Sequence, residues 1–329
     1  MKNISSFVIA LSLLAITLSG CEKDFNINIP ASTKKVVVEG YIENNLPPYV
    51  FLTNTLDLFG PLNLASISSS FVHNAKITIS DGTKSFDLKE YTINLGTNKF
   101  YIYTIKGFDF SGTSANQQNV PGIGMVGIDL NNPPDYTQVG KLNSNYKLSI
   151  QLEGETTPSI TATTEIKYAQ KIDSFWVEAR PGKPATDEFV SLYARISEKG
   201  PERNYFRYFT KRNNEGFLPG YNSIYDDNFV NGTTYNVRVM RGVDKTLPDS
   251  IAFRNYGYFK KGDTITVKIA QIDKNVYDFW KTLDYAYQNT GNPYASPGNV
   301  KTNITGGLGI WCGYASFNSP AYQTFIVPK

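Results

Sequence analysis

Short alternating segments, each broken off by turn residues, dominate this chain and leave it little choice but sheets. In Tyr146-Lys147-Leu148-Ser149-Ile150-Gln151-Leu152 the apolar residues recur at every second position, the period of a strand with one buried face. The β-branched run at 35–42 ends in Asn44-Asn45-Leu46-Pro47-Pro48, and 49–53 follows, which predicts a hairpin. Residues 75–80 stop at Asp81-Gly82, a tight-turn pair, before 86–88. Further strands are predicted at 100–105, 126–130 and 160–166. A second set is predicted at 175–179, 190–196, 205–210, 234–240 and 264–272. Seven or more short strands at this spacing point to a sandwich. The expected fold is therefore mostly β, with two β-sandwich-like domains at 34–169 and 172–329 meeting near Tyr168-Ala169-Gln170-Lys171. The first is open to an immunoglobulin-like reading as architecture only, because the cysteine pair of antibody domains is missing.

One stretch breaks the period of two. Val276, Phe279, Trp280, Leu283 and Ala286 or Tyr287 recur at helical spacing behind Asp273, a plausible N-cap. An amphipathic helix is expected near 274–289 in the second domain. Its broad aromatic face is read as packing on a sheet in preference to stacking on a ligand.

The N-terminal residues read as an address. Lys2 is followed by an apolar stretch at 7–18, too short to span a bilayer as a mature helix. The stretch ends in Leu18-Ser19-Gly20-Cys21, which resembles a bacterial lipobox. Small residues at 19 and 20 would admit the signal peptidase, and the Cys21 thiol would take up diacylglycerol. The expected division is a lipoprotein signal peptide at 1–20 and a polar tether at 21–33. Each buried CH₂ contributes about 0.8 kcal/mol, so one acyl chain holds marginally and two or more hold stably. The membrane is thus an expected partner through lipid alone. Lipidation would also leave Cys312 as the remaining cysteine, without an internal disulfide.

Composition removes many chemistries. The chain has one histidine, His73, and two cysteines, which argues against a Cys/His zinc site, haem or an iron–sulfur cluster. The net charge is +3, and no long basic run offers a nucleic-acid footprint. The glycine-rich segment 306–313 lacks the Gly-Lys-Ser/Thr of a phosphate loop, so it is read as a turn into the last strand with close backbone approach. Cys312 is read as a buried, inert thiol and His73 as structural or exposed. Glu153 with Glu155, Asp187 with Glu188, and Asp226 with Asp227 are acid pairs of the kind glycosidases use, but nothing in their spacing sets two across a cleft. Asp226-Asp227-Asn228 offers hard oxygens yet lacks the spaced calcium-loop pattern. No catalytic, cofactor or metal residue is assigned, and no enzyme activity is expected.

Four stretches, 56–71, 108–124, 214–228 and 287–303, are read as long loops. Within them Phe59, Phe217, Tyr221, Tyr225 and Tyr294 stand among Gly, Asn and Ser, a mixture suited to recognition, and they are the candidate binding-loop aromatics.

Several segments together carry a family resemblance. They are Cys21-Glu22-Lys23-Asp24-Phe25 with Asn28-Ile29-Pro30, Val36-Val37-Val38-Glu39-Gly40-Tyr41-Ile42 and Tyr146-Lys147-Leu148-Ser149-Ile150. Gly262-Asp263-Thr264-Ile265-Thr266-Val267, Ile272-Asp273 with Tyr277-Asp278-Phe279-Trp280, and Asn303-Ile304-Thr305-Gly306-Gly307-Leu308-Gly309 complete the set. Their combination resembles the Bacteroidota outer-membrane lipoproteins catalogued as domain of unknown function 4249. The resemblance implies an outer-membrane lipoprotein, on the periplasmic or cell-surface face, working with a TonB-dependent transporter or its cargo. It supplies no catalytic residue. The alternative is a surface lipoprotein that binds or cleaves glycans, drawn from the aromatic content and the spare carboxylates.

Overall fold

The computed structural model describes residues 33–57, 61–244, 247, 255–289, 298–317 and 323–329. The first strands are β1 (Val36–Glu43), β2 (Tyr49–Asn54), β3 (Lys76–Ser80), β4 (Ser85–Asp87), β5 (Lys89–Leu95) and β6 (Asn98–Thr104). Then come β7 (Phe108–Asp109), β8 (Gln117–Val120), β9 (Gly124–Ile128), β10 (Ser144–Gln151) and β11 (Ile160–Ile166). The second half contributes β12 (Ser174–Ala179), β13 (Phe189–Ser197), β14 (Tyr205–Arg212), β15 (Leu218–Asp226) and β16 (Thr234–Val239). The last are β17 (Phe259–Lys260), β18 (Thr264–Ile272), β19 (Ile304–Thr305), β20 (Leu308–Ser316) and β21 (Gln323–Ile326). Among the described residues two helices, α1 (Leu64–Ser70) and α2 (Lys274–Gln288), accompany them. The protein is mostly β, as its alternation requires.

The centre is a nine-stranded sheet in the order β15-β14-β18-β20-β1-β2-β6-β5, with β21 also paired to β18. β1 and β2 form the expected antiparallel hairpin. β1 also runs parallel to β20, pairing Val37 with Leu308 and Glu43 with Tyr314. An early strand and a late strand therefore meet in mid-sheet.

Period two gives this sheet two unlike faces. On one face Val38, Ile42, Val50, Leu52 and Trp311 pack with Ile77, Ile79, Leu148 and Ile150 of a five-stranded sheet, β19-β11-β10-β3-β4. Further along that face Phe206, Ile265, Val267 and Ile269 pack with Val190, Leu192 and Ile196, the last three from the sheet that joins β12, β13, β16 and β17. These two cores share the central sheet. Strands β19 and β20, far down the chain, complete the first core through Ile304 and Trp311. Residues 34–329 form one compact unit. Strand pairing between distant segments leaves no local mark in sequence, so the shared sheet was not legible there.

The glycines at 306 and 309 allow the approach read from sequence. A Cβ on Gly309 would sit 1.9 Å from the Val38 carbonyl oxygen, and one on Gly306 would sit 2.2 Å from that of Ser159. Both have positive φ, +99° and +83°.

Three of the expected loops hold regular structure. Residues 56–71 contain α1, started by a capping box in which Asn63 and Ser66 exchange side-chain bonds. Serine in place of the usual Glu or Gln at the third helical position hides that signal. Residues 108–124 contain β7 and β8. Residues 214–228 are mostly β15, whose Pro219 and Gly220 read locally as breakers but sit by an irregularity in the pairing with β14. The fourth, 287–303, begins in the last turn of α2, and 290–297 lie outside the described residues.

Candidate functional site

The second face of the central sheet carries the site. Cross-strand partners lie on one face, so the register assembles it residue by residue. Arg207 faces Ala270, Phe209 faces Lys268 and Lys211 faces Thr266. Glu43 pairs with Tyr314 and Tyr41 with Cys312. Tyr41 also pairs with Tyr49. A face this polar would be solvated were it not half roofed by α2.

Helix α2 covers one part of that face. Asp273 caps it as expected, accepting from the backbone N–H groups of Asn275 and Val276. The same carboxylate accepts from Thr164 Oγ1 at 2.6 Å, tying the helix start to β11. Val276 and Phe279 pack into a third core with Ile272, Ile310 and Cys312, so the packing role read for this helix holds for those residues. Tyr287, one of the two options for the end of that stripe, is 59 % exposed.

Beside the helix opens a cavity of about 680 Å³. Its wall includes Tyr41, Tyr49, Phe209, Phe217, Trp280 and Tyr314, together with Arg207, Lys211, Lys268, Glu43 and Glu215. Arg207 is 7 % exposed. Its guanidinium lies 3.3 Å from the Trp280 ring centroid and 4.9 Å from that of Phe209. It donates through Nη1 to the Tyr314 hydroxyl at 2.7 Å and through Nε to Ser223 Oγ at 3.3 Å. Lys268 pairs with Glu43 and stands 5.2 Å from the Phe209 ring and 5.3 Å from that of Tyr314. The aromatic wall continues from Tyr314 through Tyr41, 6.0 Å apart and stacked, to Tyr49 at 5.1 Å.

Burial pushes the Tyr41, Tyr49 and Tyr314 hydroxyls well above their ordinary range, so they stay neutral donors and acceptors near neutral pH. Burial likewise pushes the Cys312 thiol up to about 12. The thiolate is the reactive form, so native Cys312 should not react with a thiol reagent at about pH 8. Absorbance titration of the Cys21→Ala protein checks this: colour should develop only after unfolding. Prompt reaction of native protein would contradict it.

The residues singled out from sequence scatter. Cys21, Phe59 and Tyr294 lie outside the described residues. Phe217 lines the cavity. Tyr221 instead meets Tyr256 edge-on at 6.3 Å. Tyr225, in β15 and not in a loop, stacks on Phe206 at 5.2 Å against the second core. His73 is exposed and stacked on Tyr101 at 4.4 Å.

The acid pairs are engaged locally. Glu155 accepts from Ser159, and Glu153 from Asn74. Asp187 pairs with Arg180 and Glu188 with Lys260. Burial opposes ionisation of Asp226, yet Arg203 at 2.8 Å, the Asn228 N–H and the Tyr277 hydroxyl together hold the carboxyl below its ordinary range. Asp227 accepts twice from the Asn204 backbone N–H. None of these six lines the cavity. Among the described residues no three His, Cys, Asp or Glu side chains are grouped to hold a metal ion.

Sequence reasoning missed Arg207, Lys268 and Tyr314. Within β14 the order Tyr205-Phe206-Arg207-Tyr208-Phe209 puts aromatic rings on both faces, so alternation alone could not tell the buried arginine from a solvated one. The usable signal was an arginine flanked on both sides by aromatic residues in a strand.

The family described as domain of unknown function (DUF4249) matches residues 22–319. No curated protein matches the chain.

Proposed function

The chain belongs to the DUF4249 family, and from that premise we propose that it is a lipid-anchored, non-catalytic binding protein of a Bacteroidota outer membrane. It serves a TonB-dependent transporter or that transporter's cargo. The observation that carries the binding role is the cavity of about 680 Å³, which lies within the usual range of ligand pockets, roughly 300–1,000 Å³, and pairs aromatic walls with few convergent polar groups. The anchor rests on Leu18-Ser19-Gly20-Cys21. Among the described residues no helix is long and apolar enough to cross a membrane. Attachment then depends on acyl chains at Cys21.

Two measurements test the reading separately. Cys21→Ala should shift the protein from the membrane fraction to the soluble fraction of its native host, and retention of the variant in the membrane would overturn the anchor. Crosslinking followed by detergent extraction should recover a TonB-dependent transporter with the wild-type chain. Recovery of the chain without one would overturn the transporter role.

A further inference from the structure

We propose that the cavity takes a small organic carboxylate with an aromatic body, its carboxylate on the Arg207 guanidinium and its ring along Tyr41, Tyr49 and Phe209. This deepens the binding role above and rests on it.

The argument starts from an imbalance. Arginine is always charged and carries five N–H donors in one plane. Arg207 is 7 % exposed, yet no carboxylate pairs with it among the described residues. Its bonds go to two neutral hydroxyls, Tyr314 and Ser223, and both N–H groups on Nη2 have no acceptor among the described residues. Arg180, Arg203 and Arg212 by contrast pair with Asp187, Asp226 and Glu215, while Arg195 and Arg238 bond to the Asn236 amide oxygen and the Gly257 carbonyl. A buried charge without a counter-charge is costly, and Arg207 is held instead by rings at 3.3 and 4.9 Å. Those rings cover the guanidinium face and leave in-plane donors for an oxoanion.

The rest of the wall agrees. Lys211 also lines the cavity and has no ion-pair partner among the described residues. Of the two acids there, Glu43 pairs with Lys268 and Glu215 with Arg212. The cavity is thus left with uncompensated positive charge. A guanidinium fork matches a carboxylate in two parallel bonds, and the adjoining tyrosine and phenylalanine rings suit a flat apolar body.

The test uses the full mature chain in detergent with three probes: 1-naphthoate, its neutral amide 1-naphthamide, and inorganic phosphate. Titration calorimetry should show 1-naphthoate binding at least about ten-fold tighter than 1-naphthamide, since a hydrogen bond to a charged group contributes that much. Phosphate alone should bind more weakly than naphthoate and compete with it. Arg207→Met should erase the preference for naphthoate. Lys211→Met, at a half-buried position on the cavity wall, should weaken naphthoate and leave naphthamide unchanged. Equal affinity for the two naphthyl probes, or no binding of naphthoate, would overturn the proposal even if Arg207→Met fails to fold. Neither result alters the fractionation and crosslinking outcomes on which the broader role stands.

Discussion

Trp311→Ala should lower the unfolding free energy by about 3–5 kcal/mol, the cost of truncating a large buried aromatic. Trp311 is fully buried on β20, at the layer between the central sheet and the five-stranded sheet. Its indole N–H donates to the Tyr146 carbonyl of β10 at 3.2 Å, so the ring fastens one sheet to the other. The backbone beneath has been cleared for it: a Cβ on Gly40 would come within 2.7 Å of the ring. Alanine would leave a cavity that this β1 glycine cannot fill. Denaturant titration followed by circular dichroism checks the value. Trp311→Phe should lose less, because it keeps most of the packing and drops the hydrogen bond. A loss below about 1 kcal/mol for the alanine variant would mean that the layer repacks without the ring.

Lys268→Met should cost about 3–5 kcal/mol, as removal of one partner of a buried ion pair does elsewhere. Lys268 on β18 and Glu43 on β1 meet across β20, each side chain 10 % exposed. Taking the lysine away strips the nearby carboxylate of its paired cation at a position where only 10 % of the side chain is exposed to water. Glu43→Gln should be destabilising for the converse reason. The double variant Glu43→Gln, Lys268→Met should lose clearly less than the two single variants together, since neither charge is then stranded. Simple additivity across that cycle would show the pair to be energetically uncoupled. The pair also bears on the cavity: with Lys268 engaged by Glu43, the positive charge left for a bound anion comes from Arg207 and Lys211.

Much of the local structure was legible from residue order. The predicted strands at 160–166 and 264–272 coincide with β11 (Ile160–Ile166) and β18 (Thr264–Ile272). Asp273 caps α2, whose predicted span of 274–289 runs one residue past the observed end. Asp81 makes the expected turn through its carboxylate, accepting from the N–H groups of Thr83 and Lys84. These features are set by neighbours within a few residues, and period, capping and turn chemistry report such neighbours directly. Helix α1 and strand β15 escaped for a related reason: one is only seven residues long, and the other passes through a Pro-Gly pair beside an irregular register.

The candidate site was legible only in fragments. Phe217 stood out as an aromatic among small polar residues, and it does line the cavity. Arg207 and Tyr314 looked like ordinary strand residues, 107 positions apart, until the sheet put them at 2.7 Å.

Residue order alone determined that this chain is β-rich, where its strands break, where its long helix starts and that Cys21 sits in a lipobox-like context, because each follows from contacts along the backbone. Tertiary structure alone decided that β1 lies beside β20, that two cores share one sheet, and that a buried arginine with no carboxylate partner among the described residues faces a ring-lined cavity. Those facts depend on pairings between segments as much as 272 residues apart, as in the bond from Asn44 Nδ2 to the Ser316 carbonyl. A period of two says which side chains share a face, but not which strand lies next door.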